Sequence, residues 1–133
     1  MKMNVKRRVL YDTRFIAATY YPKNEEEAAG IQRELTGTIP RSVSSVTVYE
    51  VYKLSLEAEG KQTAELRIQL IRQDFTVVNV DWGIAREAAL VWKKYKVPMA
   101  DAIIAATAMR MNAPCVTNDE HLLNMKELKT RWV

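Results

Sequence analysis

Phe75-Thr76-Val77-Val78-Asn79-Val80 is the plainest strand in the chain, a run of β-branched and aromatic residues too short for a buried helix. Asp81 follows as an expected N-cap for a helix with apolar positions Ala85, Ala88, Ala89, Val91 and Trp92. Pro98 punctuates, and residues 99–112 form a second, Ala-rich helix (Ala100, Ala102, Ala105, Ala106, Ala108), whose small side chains predict close packing against a sheet. Pro114-Cys115-Val116-Thr117 then reads as another short apolar strand. Two strands joined through two helices cannot form a hairpin, and crossovers of that length join parallel strands.

The rest of the chain repeats this alternation. Arg8-Val9-Leu10-Tyr11 is a β-prone run ending on Asp12, and residues 13–20 carry helix formers up to the stop at Pro22. Asn24 caps a second helix with Glu25, Glu26 and Glu27 in its first turn, where the helix dipole favours them; Ile31 and Leu35 mark its apolar face, and Gly37 and Pro40 end it. Residues 43–48 read as a strand that passes into a helix near Thr47, with Val48, Val51, Tyr52 and Leu54 at helical spacing. Gly60 breaks that helix, and residues 63–73 supply the next. Past Asn118-Asp119 comes a last helical turn, and residues 129–133 are expected to add an edge strand. Strands alternating with helices argue for an α/β fold with a parallel sheet covered on both faces.

A length of 133 residues suits one domain spanning residues 1–133. A composition 48% hydrophobic and 27% charged, with 4 Gly and 4 Pro, excludes a disordered or collagen-like chain. Cys115 is the single cysteine, so an internal disulfide and a Cys-rich zinc cage are both excluded; it is expected to be an inert buried thiol in a reducing compartment. His121 is likewise alone, which removes multi-histidine metal sites and His–His acid–base pairs. The basic start at residues 1–8 lacks the apolar run of a signal peptide, being broken by Asp12 and Arg14, and no window approaches the length of a membrane span. The expectation is a soluble cytoplasmic protein.

In open α/β sheets ligands bind beyond the carboxyl ends of the strands. Asp12 ends the first strand, Asp119 lies two residues beyond Val116-Thr117, and Glu50 and Asp101 are expected in the first turns of helices leaving that same edge. Singly, each acid has an ordinary explanation as a cap, a turn residue or a partner of the helix dipole. Jointly, four carboxylates in one crevice repel one another unless a cation or shared protons neutralise them. All-oxygen ligation suits Mg²⁺ or Mn²⁺, and the scarcity of His and Cys argues against zinc. Metal-acidified water needs no histidine base, so the cluster suggests phosphodiester hydrolysis. Net charge is +4, and removing those four of the 16 acids leaves 12 against 20 basic residues, a balance suited to a nucleic-acid backbone. Arg14 and Lys93-Lys94-Tyr95-Lys96 are candidate phosphate contacts, although the latter is better read as a solvated helix C-terminus suited to its dipole.

The pattern resembles the PIN-domain nucleases, particularly the VapC-like toxins of toxin–antitoxin operons. The matching pieces are Val9-Leu10-Tyr11-Asp12-Thr13, Ser44-Ser45-Val46-Thr47-Val48-Tyr49-Glu50, Pro98-Met99-Ala100-Asp101-Ala102-Ile103-Ile104-Ala105-Ala106-Thr107-Ala108, and Val116-Thr117-Asn118-Asp119. Their order and spacing fit over essentially the whole chain. The resemblance implies a three-layer α/β/α sandwich around a parallel sheet of four to five strands. It further implies a Mg²⁺- or Mn²⁺-dependent endoribonuclease, a homodimer, and a small antitoxin partner whose segment fills the acidic crevice. It carries over Asp12, Glu50, Asp101 and Asp119 as metal-binding acids, with Thr13 and Thr117 as supporting hydroxyls. One departure is Arg14, where the family often has Asn or Ser; Arg14 could instead hold substrate or pair with the acids. Glu120, beside Asp119, should point away by alternation. The competing reading is a catalytically silent PIN-like module that binds RNA or protein. A phospho-accepting receiver domain is disfavoured, since paired acids at the first strand and a lysine after the last are not evident. Met99, Met109, Met111, Trp82 and Trp92 are expected to pack the core or a dimer face, and Trp132 to cover the sheet edge or serve a partner.

Overall fold

A computed structural model of the chain describes residues 8–133; residues 1–7, most of the basic start considered for a targeting signal, lie outside it. The elements are β1 (Val9–Tyr11), α1 (Thr13–Tyr20), α2 (Glu25–Thr36), β2 (Arg41–Ser44), α3 (Ser45–Glu59), α4 (Lys61–Asp74), β3 (Thr76–Val78), α5 (Trp82–Tyr95), α6 (Met99–Met111), β4 (Cys115–Val116), α7 (Glu120–Leu123) and β5 (Thr130–Arg131). The strands form one five-stranded sheet in the order β3-β2-β1-β4-β5, and every neighbouring pair is parallel. The α/β fold with a central parallel sheet is as the sequence predicts.

Strand alternation builds the two faces. Leu10 of β1 and Cys115 of β4 enter a core with Ile84 and Ala88 of α5 and Ala102, Ile104, Ala105, Ala106 and Ala108 of α6. Val9, Tyr11, Val43 and Val116 enter the opposite core with Phe15 and Ile16 of α1, Ile31 of α2, Val51 of α3 and Ile71 of α4. The alanines of α6 are nearly all buried, as close packing on a sheet requires. Met109 and Met111 pack partly buried at that core. Met99, Trp82 and Trp92 do not belong to it: all three are exposed, Trp82 by 81%.

The second strand differs from expectation. It stops at Ser44, and α3 begins at Ser45. The Ser44 hydroxyl accepts a bond from the Val46 N–H at 3.1 Å and so caps the helix, while Thr47 and Val51 are fully buried on its inner face. That packing overrides the β-propensity of Val46-Thr47-Val48. Glu50 therefore sits in the second turn of α3, not the first. The third strand is likewise shorter than residues 75–80, spanning Thr76–Val78.

At the other edge, β5 anchors the chain's last residues. Arg131 makes a two-pronged contact with Glu34 of α2, at 2.9 and 2.8 Å, and the buried Tyr11 hydroxyl donates to the same carboxylate. These bonds pull the Glu34 carboxyl below its ordinary range, while burial first and Glu34 second push the Tyr11 phenol well above its own. Trp132 stands edge-on to Phe15 at 6.3 Å, partly buried against the core on the α1 side of the sheet. A Cβ on Gly30 would come within 3.2 Å of Val133, so a larger residue there would push the end of the chain by a few tenths of an ångström. No helix among the described residues is long and apolar enough to cross a membrane.

Candidate functional site

The acids gather where β1 and β4 end. The Asp12 N–H donates to Val116 O at 3.1 Å, the last bond between the two strands, and Asp12 then caps α1. Its side chain is almost wholly buried, so both carboxylate oxygens need partners. Oδ1 accepts from the Thr13 N–H and Oδ2 from the Thr117 hydroxyl, each at 2.7 Å. The same Thr117 oxygen accepts from the Asp119 N–H at 3.0 Å. The Thr117 backbone is fixed in turn by its N–H to Arg131 O at 2.9 Å, so the edge strand holds the site from behind.

Glu50 approaches from α3. The Thr13 hydroxyl donates to Glu50 Oε1 at 2.6 Å and lies 3.1 Å from the hydroxyl of the buried Thr47. Asp101 stands in the first turn of α6, and Asp119 caps α7 by accepting the His121 N–H at 2.8 Å. The guanidinium of Arg14 reaches Asp119 Oδ2 at 3.2 Å, so of its two expected roles the pairing with an acid is the one seen. Glu120 is exposed, although it opens α7 and strand alternation does not reach it. In the basic run, Lys94 pairs with Glu127 and Lys96 covers the Trp92 ring at 4.0 Å, the arrangement of a solvated helix C-terminus.

The charges are felt across the cluster. Asp12 is pushed up to about 6, chiefly by burial, with the bonds from Thr117 and Thr13 pulling back and the charges of Asp101 and Asp119 adding to the rise. Asp101 is also pushed up to about 6, by burial and then by Asp119, against a lowering from His121; Glu50 raises it further and Arg14 lowers it. All four predicted acids thus occupy one neighbourhood, and Thr13 and Thr117 both bond to members of it.

The tightest grouping is not the all-acid set. Among the described residues, Asp101, Asp119 and His121 bring donor atoms within 4.8 Å of one another. Asp12 and Glu50 lie outside that group, turned onto their threonines. Sequence reasoning sets His121 aside, because one histidine cannot build a multi-histidine site. The signal that could have found it is its place two residues after Asp119, in the helical turn which that residue caps. Two carboxylates facing a common point, with further acids alongside, are a donor set that fits a hard divalent cation.

A family model described as PIN domain matches residues 9–128. No curated protein matches the chain by sequence. Several solved structures share its fold. VapBC2 of Rickettsia felis, solved bound to a DNA fragment from its promoter, superposes with a TM-score of 0.77 at 11% identity over 95% of this chain and 98% of that one. The sarcin–ricin loop cleaving toxin VapC20 of Mycobacterium tuberculosis gives 0.73 at 14% identity over 90% and 98%. A toxin–antitoxin complex from Klebsiella pneumoniae gives 0.70 at 20% identity over 90% and 94%.

Proposed function

Because the chain belongs to the PIN domain family, we propose that it is a nuclease and the toxin of a toxin–antitoxin pair, specifically a Mg²⁺- or Mn²⁺-dependent endoribonuclease that cuts RNA phosphodiester bonds. The observation that carries this reading is the convergence of Asp12, Glu50, Asp101 and Asp119 at the carboxyl edge of the sheet, with Asp12 and Asp101 raised to about 6 by burial and by the charges of neighbouring acids. Such a cluster is costly unless a cation offsets it. The likeness to VapC20, a sarcin–ricin loop cleaving toxin, supports the choice of substrate class. So does the surplus of basic residues outside the acids.

In this reading Asp12 and Asp101 hold the first cation, and Asp119 completes that site or begins a second. When bound, the cation supplies an acidified water and offsets the charge developing on the phosphoryl group. Glu50 orients the attacking water, with its Oε1 fixed by the Thr13 hydroxyl. Thr117 fixes Asp12 and, through the Asp119 N–H, the start of α7. Arg14, beside the acids on an exposed face, takes a substrate phosphate. The protein works as a cytoplasmic homodimer of one PIN-like unit per chain. A small antitoxin holds it inactive by filling the acidic crevice with a segment that carries an Arg or Lys near the carboxylates.

The test is Asp101→Asn incubated with structured and single-stranded RNA in Mn²⁺. Cleavage by the wild type, lost in the variant with an unchanged circular dichroism spectrum, is the expected result, and cleavage retained in the variant rejects the assignment. An intact RNA ladder from the wild type in both metals identifies the catalytically silent binding module instead. Harmless expression without a co-purifying partner counts against the toxin role and leaves the nuclease standing.

A further inference from the structure

We propose that His121 is a nitrogen ligand of the cation, and that it makes this centre prefer Mn²⁺ and Co²⁺ over Mg²⁺. The inference rests on the metal-site reading above and takes it further, from an all-oxygen cage to a mixed one. His121 Nδ1 lies 3.0 Å from Asp119 Oδ1 and 3.2 Å from Asp101 Oδ2. One ring nitrogen thus stands between two carboxylates that come from different helices, at the point both of them face.

The local fold makes this placement specific. Asp119 Oδ1 accepts the backbone N–H of His121 at 2.8 Å and lies 3.0 Å from its Nδ1, so the cap of α7 also sets the side chain. Leu122, the next residue, is completely buried in the α5–α6 core. With that neighbour fixed inward, the short helix cannot rotate without losing its anchor, and the His121 ring stays over the acids. The ring is half-exposed, with 52% of its side chain open to solvent, whereas Asp101 and Asp119 are 14% and 11% exposed. The acids form the floor of the group and the imidazole forms its outer wall.

The chemical consequence follows from ligand type. Mg²⁺ demands oxygen donors and keeps much of its water, so an imidazole adds little for it. Affinity for first-row divalent ions at a site with a nitrogen donor rises from Mn²⁺ to Co²⁺. An Asp–Asp–His group therefore discriminates among cations that an all-carboxylate group treats more evenly.

The experiment is calorimetric titration of the full chain with MnCl₂, CoCl₂ and MgCl₂ separately, for wild type, His121→Ala and Asp101→Asn, with no RNA present. The expected result for His121→Ala is a loss of about tenfold or more in Mn²⁺ and Co²⁺ affinity and under about threefold for Mg²⁺. Pulsed electron paramagnetic resonance on Mn²⁺-loaded wild type, which needs no variant to fold, is expected to show hyperfine coupling to an imidazole nitrogen. Absence of that coupling, with the same Mn²⁺-to-Mg²⁺ ratio in wild type and His121→Ala, overturns the role of His121; if Asp101→Asn still abolishes binding, the acidic metal site survives. A wild type that binds none of the three ions overturns both.

Discussion

The Thr117 hydroxyl donates to Asp12 Oδ2 at 2.7 Å, joining residues 105 positions apart at the centre of the acid cluster. Both groups are buried, so neither can turn to water if the other is lost. Thr117→Val keeps the shape and removes the donor, leaving a buried carboxylate oxygen and the Asp119 N–H without their partner. The expected cost is about 1–3 kcal/mol in denaturant unfolding. Because this bond holds the Asp12 pKa down against burial, its loss also raises that pKa and weakens Mn²⁺ binding near neutral pH. Thr117→Ser restores both quantities. Unchanged stability in Thr117→Val shows that the bond does not matter to the fold.

Thr13 and Glu50 form a second coupling, at 2.6 Å, backed by the buried Thr47 hydroxyl at 3.1 Å from Thr13. Thr13→Val frees Glu50 to rotate without touching Asp101 or Asp119. Cleavage is expected to fall about 10–100-fold, the usual cost of losing a group that orients a site carboxylate. The loss should appear in kcat, with KM for RNA little changed, and Thr13→Ser should recover most of it. A Thr13→Val variant with wild-type kcat removes Glu50 orientation from the scheme.

Arg14 and Asp119 pair at 3.2 Å with the arginine side chain 59% exposed. An ion pair this open contributes only about 0–1 kcal/mol, so Arg14→Ala should melt within about 4 °C of wild type. Its charge, however, competes with a cation for Asp119. The variant should therefore bind Mn²⁺ more tightly while its KM for RNA rises. Loss of one phosphate contact should also flatten the dependence of log K on log salt by about 0.7 for single-stranded RNA. A KM and salt slope equal to wild type leave Arg14 as a partner of the acid only.

Much of this arrangement is legible in the chain because it follows from local rules. Asp12 and Thr117 end runs whose apolar character marks adjacent buried strands, and the alanines from Ala102 to Ala108 announce a helix lying close on a sheet. What is not legible depends on tertiary packing. Val46-Thr47-Val48 looks like strand, and only the burial of Thr47 and Val51 together with the Ser44 cap makes it helix. His121 reads as a solitary residue, and its place at the acids depends on Asp119 capping a four-residue turn whose next residue, Leu122, is buried. Trp82 and Met99 look like core by hydrophobicity, but both sit in the first turn of a helix and face outward.

The raised acids set a pH dependence opposite to that of ordinary paired carboxylates. Asp12 and Asp101 lie near 6 in the folded chain against an ordinary 3.8. Between about pH 4 and pH 6 the folded state therefore holds more protons than the unfolded one. Stability falls as pH rises through that window and levels off above it, by on the order of 2–3 kcal/mol for Asp12. Glu34 and Glu127 have the opposite sign, but both are shifted below 4.5, so they act only at lower pH. Metal-free protein in EDTA should thus be most stable near pH 5 and weaker at pH 7.5. Asp12→Asn should flatten the fall, and because the comparison is with wild type, groups common to both cancel. Saturating Mn²⁺ should raise the melting temperature at pH 7.5 by mass action and have little effect at pH 5, where protons occupy the acids. A metal-free wild type whose stability rises from pH 5 to pH 7.5 as steeply as that of Asp12→Asn contradicts the raised state of this carboxylate.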